Sequence, residues 1–316
     1  MVMNERINHS FKYFDLQVNG YAGVDFNSLN LTGERLHYAC ENLAEDNVEG
    51  ILVTIITDNF DSMLDKIKNL VRLMQQDEFI KSVVKGIHVE GPFLSPEEGY
   101  RGAHPKEFII SADIEKVKQL LNAGAGFVKL FTLAPENDLG FKAIRFLSDN
   151  NVVVSAGHSN ALLDELKAAI DNGLKMFTHL GNGSPGILPR HDNIINRVLS
   201  LKEKLYISFI ADGIHIPEYV LQNYLQIVGP ERTIIISDAI AAASATPGTY
   251  SVSHINVEVG EDRVVRELGE QNLAGSAVTL KESYKILKEK LKMNKLDLKA
   301  VLCDNAKKLL NANGIN

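Results

Sequence analysis

The chain has 316 residues, 45% of them hydrophobic and 23% charged, proportions that are typical of folded globular proteins and argue against disorder, a collagen-like structure or a disulfide scaffold. Its net charge of −7, without a long basic run, argues against nucleic acid as a partner. Its two cysteines, Cys40 and Cys303, form no metal-binding pattern and suit the reducing cytoplasm. The polar stretch over residues 1–13 and the lack of any run of ~18 apolar residues argue against secretion and against a membrane span.

Short apolar runs alternate with longer amphipathic segments, which is typical of βα units around a parallel sheet. The eight predicted strands are Tyr13–Val18, Gly50–Thr57, Val83–Val89, Gly126–Thr132, Val152–Ala156, Lys175–Thr178, Tyr206–Ala211 and Thr233–Ser237. The predicted helices include Thr32–Asp46, Phe60–Gln76, Ala112–Asn122, Phe141–Asn150, Leu162–Asn172, Pro217–Val228, Ala277–Leu291 and Asp297–Leu310. Eight alternating units favour a (β/α)8 TIM barrel, and a doubly wound open sheet is the alternative.

One segment interrupts this alternation. Polar and apolar residues alternate within Tyr250–Val259 and again around Arg263–Val265, which predicts a β-hairpin inserted at about residues 246–268. We find no internal repeat, linker or low-complexity tract, so the sequence predicts a single domain over residues 1–316.

Histidine and acidic residues fall at the C-terminal ends of the predicted strands, which form the catalytic face of barrel enzymes. They are His88 and Glu90 at the end of the third strand, His158 after the fifth, His179 after the sixth, Asp212 and His215 after the seventh and Asp238 after the eighth. Any one of them is more often a loop cap or a hydrogen-bonded core group. Together they offer the ligands of a catalytic divalent metal, which needs three protein groups and one open position.

Several motifs occur in an order that resembles the N-acetylglucosamine-6-phosphate deacetylases of the amidohydrolase superfamily. The motifs are Asp15–Gly20, His88–Phe93, Ala156–Ala161, Thr178–Leu180, Ala211–Gly213 with His215, Ser237–Ala239 and Leu273–Ser276. The resemblance extends from about Phe11 to Leu310, nearly the whole chain. It implies a metal-dependent hydrolase of amino-sugar metabolism.

The resemblance implies that Glu90, His158 and His179 bind one divalent metal ion. Zinc is the first expectation, and iron, manganese or cobalt also accept two imidazoles and a carboxylate. Such a metal lowers the pKa of a bound water, and Asp238 would take a proton from that water and pass it to the leaving amine.

The resemblance also assigns His104, which would contact the substrate near the scissile carbonyl and polarise it; an exposed loop histidine is the alternative. Gln17 and Asn19 lie two residues apart on the first strand and face the same side. Many related hydrolases carry a His-x-His pair there and bind a second metal. Because amides are weak ligands, we expect a single metal and count Gln17 and Asn19 among the substrate-side residues.

At the substrate end, the resemblance assigns sugar contacts to His215, Asn182 and Gly183. It places Arg190 in a loop from which family members reach a neighbouring subunit's phosphate, so a homodimer with shared active sites follows. A solvated loop charge is the alternative for Arg190.

The chain departs from the family pattern in two places. The barrel elements fill the sequence, which leaves no residues for the flanking small β domain of the family, and the sixth loop continues as Gly181–Pro185 where the family has Asn-Ala-Met. We therefore expect a divergent, barrel-only deacetylase acting on N-acetylglucosamine 6-phosphate. The alternatives are an amidohydrolase with the same metal centre acting on another, unphosphorylated amide, and a non-catalytic sugar-binding descendant.

Overall fold

The computed structural model describes residues 11–253, 255–267 and 273–312. Its main sheet contains eight parallel strands, each paired with its neighbour in the chain. These strands, β1 to β8, are Tyr13–Val18, Val48–Ile56, Val84–Glu90, Val128–Leu133, Val153–Ala156, Leu174–Phe177, Tyr206–Ile210 and Thr233–Ile236. A doubly wound sheet would require a reversal of strand order, so the order confirms the barrel prediction.

Helices follow the barrel strands. They are α1 Gly33–Glu45, α2 Phe60–Gln76, α3 Glu78–Val83, α4 Ile114–Ala123, α5 Lys142–Asp149, α6 Leu163–Asp171, α7 Ile194–Leu199, α8 Glu218–Val228, α9 Leu280–Lys285, α10 Lys295–Lys299 and α11 Asn305–Asn311. A π-helical turn over Ile286–Lys290 extends α9, and another over Ala300–Asp304 joins α10 to α11. Among the described helices, none combines the length and the apolar character that crossing a membrane requires.

The barrel nearly closes between β1 and β8. Val18 and Ala239 form an isolated parallel bridge, and the Asp15 carboxylate accepts a hydrogen bond from the backbone N–H of Ser237 at 3.2 Å. Asp15 is buried, and burial raises the pKa of its carboxyl to about 7. A side-chain carboxylate therefore replaces part of the backbone ladder at this seam.

A β-bulge in β1 reorients the residues that approach the site. Asp15 pairs with Ile51 and Val18 with Val53, so three steps along β1 oppose two steps along β2. Such a bulge bends a strand and redirects a side chain. Leu16 packs in an apolar cluster of the barrel strands, and the next residue, Gln17, also contacts groups at the centre of the barrel.

A small antiparallel sheet occupies the segment where the sequence predicts a β-hairpin. It contains three strands, Gly248–Val252, Ile255–Val259 and Val265–Glu267. The prediction of a two-stranded hairpin is therefore one strand short, and the third strand overlaps the alternation around Arg263–Val265. Leu268, at the end of the predicted segment, lies outside the described residues.

Partly buried polar contacts attach this sheet to the barrel. Lys66 of α2 donates to Asp58 Oδ2 at 2.5 Å and to Ser253 Oγ at 2.9 Å. The backbone N–H of Ser253 donates to Asp25 Oδ2 at 3.0 Å. Because Ser253 follows the first strand of the small sheet, these contacts fix that sheet over the barrel mouth.

Asp25 should make the stability of this attachment depend on pH. Burial raises the pKa of its carboxyl from 3.8 to about 6, although hydrogen bonds from Asn27 and Ser253 act to lower it. The folded chain then binds more protons than the unfolded chain between these values, so the free energy of unfolding falls as the pH rises from about 4 to about 6.

We expect Asp25→Asn to reduce the fall in the free energy of unfolding over this pH range, by at most about 3 kcal/mol. Chemical denaturation at a series of pH values measures the effect, and Asp61→Asn on the exposed start of α2 is the control. Parallel profiles for Asp25→Asn and the wild type would contradict the expectation.

Candidate metal centre and active site

The C-terminal ends of the barrel strands open into a cavity of about 780 Å³. The predicted site residues that line it are Asn19, Glu90, His104, His158, His179, Asn182, Gly183, His215 and Asp238. Gln17 and Arg190 are not among the described residues of the lining. The barrel therefore brings all but two of the predicted side chains to a common cavity.

Glu90 lies between two imidazoles at the floor of this cavity. Its Oε1 lies 3.1 Å from His179 Nε2 and 3.5 Å from His158 Nε2, and all three residues are buried. Burial acts to raise the pKa of the Glu90 carboxyl, but the contacts to His158 and His179 outweigh it and hold that pKa well below its usual value. A carboxylate and two imidazole nitrogens thus converge in one small volume.

The His158 ring is fixed by backbone groups. Its Nδ1 lies 3.0 Å from the carbonyl oxygen of Tyr100. A carbonyl can only accept, so Nδ1 carries the proton and Nε2 keeps its lone pair on the Glu90 side. Gly102 and Gly183 press on the ring, since a Cβ on either would lie within 2.9 Å and 2.8 Å of it respectively.

His104 adjoins the same group of side chains. Its Nε2 lies 3.3 Å from His158 Nε2, and the ligand atoms of Glu90, His104 and His158 all lie within 4.8 Å of one another. His104 is only 7% exposed, so the alternative of an exposed loop histidine is wrong. The geometry is compatible both with a contact to the substrate and with a contact to a metal.

Asp238 follows β8 and is held by two amides. Its Oδ1 accepts from Gln17 Nε2 at 3.0 Å and from Asn19 Nδ2 at 2.8 Å. Gln17 Nε2 also lies 3.2 and 3.1 Å from the two carboxylate oxygens of Glu90. Gln17 therefore bridges two carboxylates beneath the cavity. Burial, reinforced by the charge of Glu90, raises the pKa of Asp238.

Three of these residues share a left-handed backbone conformation. The φ angles are +50° at His158, +32° at His179 and +50° at Asp238. Left-handed backbone costs a residue other than glycine about 1–3 kcal/mol and clusters at functional sites. Each of the three lies just beyond a barrel strand, where this conformation turns the side chain into the cavity.

A layer of hydroxyl groups surrounds the buried His88 below the site. Its Nε2 lies 2.8 Å from Thr132 Oγ1, and its Nδ1 lies 3.3 Å from Thr54 Oγ1. Thr178 Oγ1 continues the layer, 2.9 Å from Thr132 Oγ1. Burial lowers the pKa of His88 to about 4, so this ring is neutral near pH 7. His88 thus has the structural surroundings of a core histidine.

The side of the cavity assigned to the substrate contains a second carboxylate–histidine pair. His215 Nδ1 lies 2.6 Å from Asp212 Oδ2, while Asp212 Oδ1 accepts from the backbone N–H groups of Ile214 and His215. Asp212 therefore fixes the orientation of the His215 ring. Arg190 is exposed, in the loop that also carries Asn182 and Gly183.

The donor set fits a divalent transition metal. Two imidazoles and a carboxylate are ligands that zinc and its neighbours in the first transition series accept. The Tyr100 carbonyl supplies the partner that fixes the tautomer of His158, as is usual for a histidine that binds a metal. Gln17 and Asn19 donate hydrogen bonds from their amide N–H groups to Asp238, so their amide nitrogens are not metal ligands.

Several residues that shape the site were not predicted from the sequence. Tyr100 acts through its backbone carbonyl, which leaves no signal in the sequence. Arg101 lines the cavity, and the only available signal was its position three residues before His104. Val252 and Ile255 of the small sheet also line the cavity, which depends on how that sheet folds back over the barrel.

A nearly closed parallel barrel with a candidate metal site at the C-terminal ends of its strands defines the class of this protein as a barrel enzyme. No protein-family model matches the chain. The chain is 28% identical over 298 residues to N-acetylglucosamine-6-phosphate deacetylase of Bacillus subtilis strain 168, which covers 94% of this chain and 74% of that protein. It is 31% identical over 282 residues to the Haemophilus influenzae protein of the same name, covering 86% of this chain and 69% of that protein.

A solved structure gives the same result. It is a mutant of the Mycobacterium smegmatis N-acetyl-D-glucosamine-6-phosphate deacetylase in complex with N-acetyl-D-glucosamine-6-phosphate. It matches this chain with a TM-score of 0.86 at 27% identity, over 95% of this chain and 77% of that one. The chain belongs to the N-acetylglucosamine-6-phosphate deacetylase family, which confirms the resemblance found in the sequence.

Proposed function

We propose that this chain hydrolyses the N-acetyl amide of N-acetylglucosamine 6-phosphate. One water is consumed, the amide C–N bond breaks, and the products are acetate and glucosamine 6-phosphate. The observation that carries the proposal is the convergence of Glu90, His158, His179 and Asp238 on one cavity in a chain of this family.

Glu90, His158 and His179 would hold one divalent metal ion, for which zinc is the first expectation. When bound there, such an ion polarises a carbonyl and lowers the pKa of water. A single ion is supported by the amides of Gln17 and Asn19, which donate to Asp238 where related hydrolases carry imidazole ligands.

Asp238 is the proposed acid and base. Gln17 and Asn19 hold its Oδ1, which leaves Oδ2 for proton transfer at the cavity surface. Its raised pKa strengthens it as a base for the attacking water. The same carboxyl then returns the proton to the amine nitrogen as the C–N bond breaks, so the sugar leaves as a neutral amine. The other proton of the water ionises from the acetic acid formed, which gives acetate, and the released amine takes up a proton in solution.

His104 is proposed to donate a hydrogen bond to the carbonyl oxygen as negative charge develops on it. On the sugar side, His215 is held by Asp212 for contact with a hydroxyl or phosphate oxygen. Asn182 and Gly183 offer amide and backbone groups from the neighbouring loop. Gln17 lies beneath the cavity and is not among its described lining residues. Gln17 is therefore proposed to act on the substrate through its hydrogen bond to Asp238.

We also propose that the enzyme is a homodimer in which Arg190 reaches the phosphate in the partner subunit's cavity. Its support is that Arg190 is exposed and is not among the described residues that line its own cavity. A planar guanidinium suits bidentate contact with phosphate oxygens. The cytoplasmic location remains a prediction.

Acetate release from N-acetylglucosamine 6-phosphate tests the proposed function, with protein of measured metal content and with the unphosphorylated sugar and the galactosamine epimer in parallel. We expect release that requires about one metal per chain and is greatest with the phosphorylated glucosamine compound. Metal-loaded protein that releases no acetate would contradict the proposal. Binding of the sugar phosphate without turnover would then favour a sugar-binding protein, and an absence of both would favour a different amide.

A further inference from the structure

We propose that Arg101 binds the phosphate of the substrate within the same subunit. The proposal rests on the proposed function, because it takes a phosphorylated amino sugar as the ligand. It adds an anion-binding residue that belongs to the chain carrying the metal ligands, in addition to any contribution of Arg190 from a partner.

The charge of Arg101 is uncompensated inside the cavity. Among the described residues of the lining, Arg101 is the only lysine or arginine. Its Nη1 donates to the backbone carbonyl of His104 at 3.1 Å, and among the described residues no carboxylate oxygen lies within 4.0 Å of its guanidinium. By contrast, the guanidinium of the neighbouring Arg197 is paired with Asp192 at 2.5 Å.

The shape of the substrate places its phosphate at the rim of the cavity. In the pyranose ring, C2 bears the amide, and C5, which bears the C6 phosphate arm, lies directly across the ring. An amide held at the floor, near Glu90 and Asp238, therefore directs the phosphate toward the mouth. Arg101 is partly exposed and belongs to the loop that ends at the buried His104, so it lies between floor and mouth.

The surrounding charges favour the same placement. The carboxylates Glu90 and Asp238 at the floor repel a phosphate dianion, and at the rim Glu98 is exposed to solvent, which weakens its repulsion. The loop of Arg101 packs on the loop after β6, where a Cβ on Gly99 would lie 2.7 Å from Pro185. A phosphate beside Arg101 is thus also near the loop that carries Asn182 and Gly183.

The test compares two substrates in four proteins. The values of kcat/KM for N-acetylglucosamine 6-phosphate and for N-acetylglucosamine are measured in the wild type, Arg101→Gln, Arg101→Lys and the control Arg72→Gln on the exposed face of α2. A charged hydrogen bond predicts that Arg101→Gln reduces the preference for the phosphorylated sugar about 10- to 100-fold, chiefly through KM. Arg101→Lys should retain part of the preference, and Arg72→Gln all of it.

A second measurement separates this inference from the proposed function. The inhibition constant of inorganic phosphate, or its calorimetric Kd if no turnover is found, should rise in Arg101→Gln by a similar factor. Equal losses with both sugars would overturn the inference, because they would mean that Arg101 acts by holding the His104 loop. An unchanged preference in Arg101→Gln together with a lost preference in Arg190→Gln would also overturn it, in favour of the partner's arginine.

Discussion

Replacement of Asp238 by asparagine is expected to lower kcat about 100- to 10,000-fold, the usual contribution of a general acid or base. Asparagine matches the shape of the aspartate and tolerates the left-handed backbone at φ +50°. Its oxygen can still accept from Gln17 and Asn19, so the surroundings should be preserved. What is lost is a group that can take a proton and return it to the amine.

The measurement combines acetate release with metal analysis of the same preparation. Metal content should equal that of the wild type, since Glu90, His158 and His179 are unchanged, and Asp149→Asn on the surface of α5 should behave as wild type. Undiminished turnover in Asp238→Asn would refute the role assigned to the carboxyl. Loss of the metal would instead place Asp238 among the ligands.

The barrel and the position of its site could be predicted because both follow from local patterns. Apolar runs specify buried parallel strands, and parallel strands of a barrel present their C-terminal ends at one face. Residues placed just after separate strands, such as Glu90, His179 and Asp238, must therefore meet. No knowledge of the loops is needed for that conclusion, which explains why the strand-end residues were found from sequence.

Features that depend on long-range packing were not predictable. The short helices α3 and α7 have too few turns to show a helical period. The β-bulge in β1 is set by the pairing of Asp15 and Val18 with β2. Because strand alternation does not reveal a bulge, the sequence placed Gln17 among the substrate-side residues, whereas its side chain contacts Glu90 and Asp238. His104 lies beside His158 only because the Gly102 backbone packs against the imidazole, a contact between distant segments.

Because His104 lies close to His158, either His179 or His104 could be the third metal ligand, and two substitutions distinguish them. His179→Asn is expected to reduce the metal content from about one per chain toward zero and to abolish acetate release. His104→Asn is expected to keep the metal and lose turnover, because His104 is proposed to contact the carbonyl oxygen. The expectation for His179 follows from Glu90 Oε1, which lies 3.1 Å from His179 Nε2 and 3.5 Å from His158 Nε2.

Elemental analysis after dialysis against a weak chelator distinguishes the two histidines independently of activity. His37→Ala, on the partly exposed face of α1 outside the cavity lining, is the control and should retain both metal and turnover. The opposite result, metal lost in His104→Asn and kept in His179→Asn, would make Glu90, His104 and His158 the ligand set, which their mutual separation within 4.8 Å also permits. His179 would then be left as the imidazole available to the carbonyl oxygen, and the two histidines would exchange roles around an unchanged Asp238.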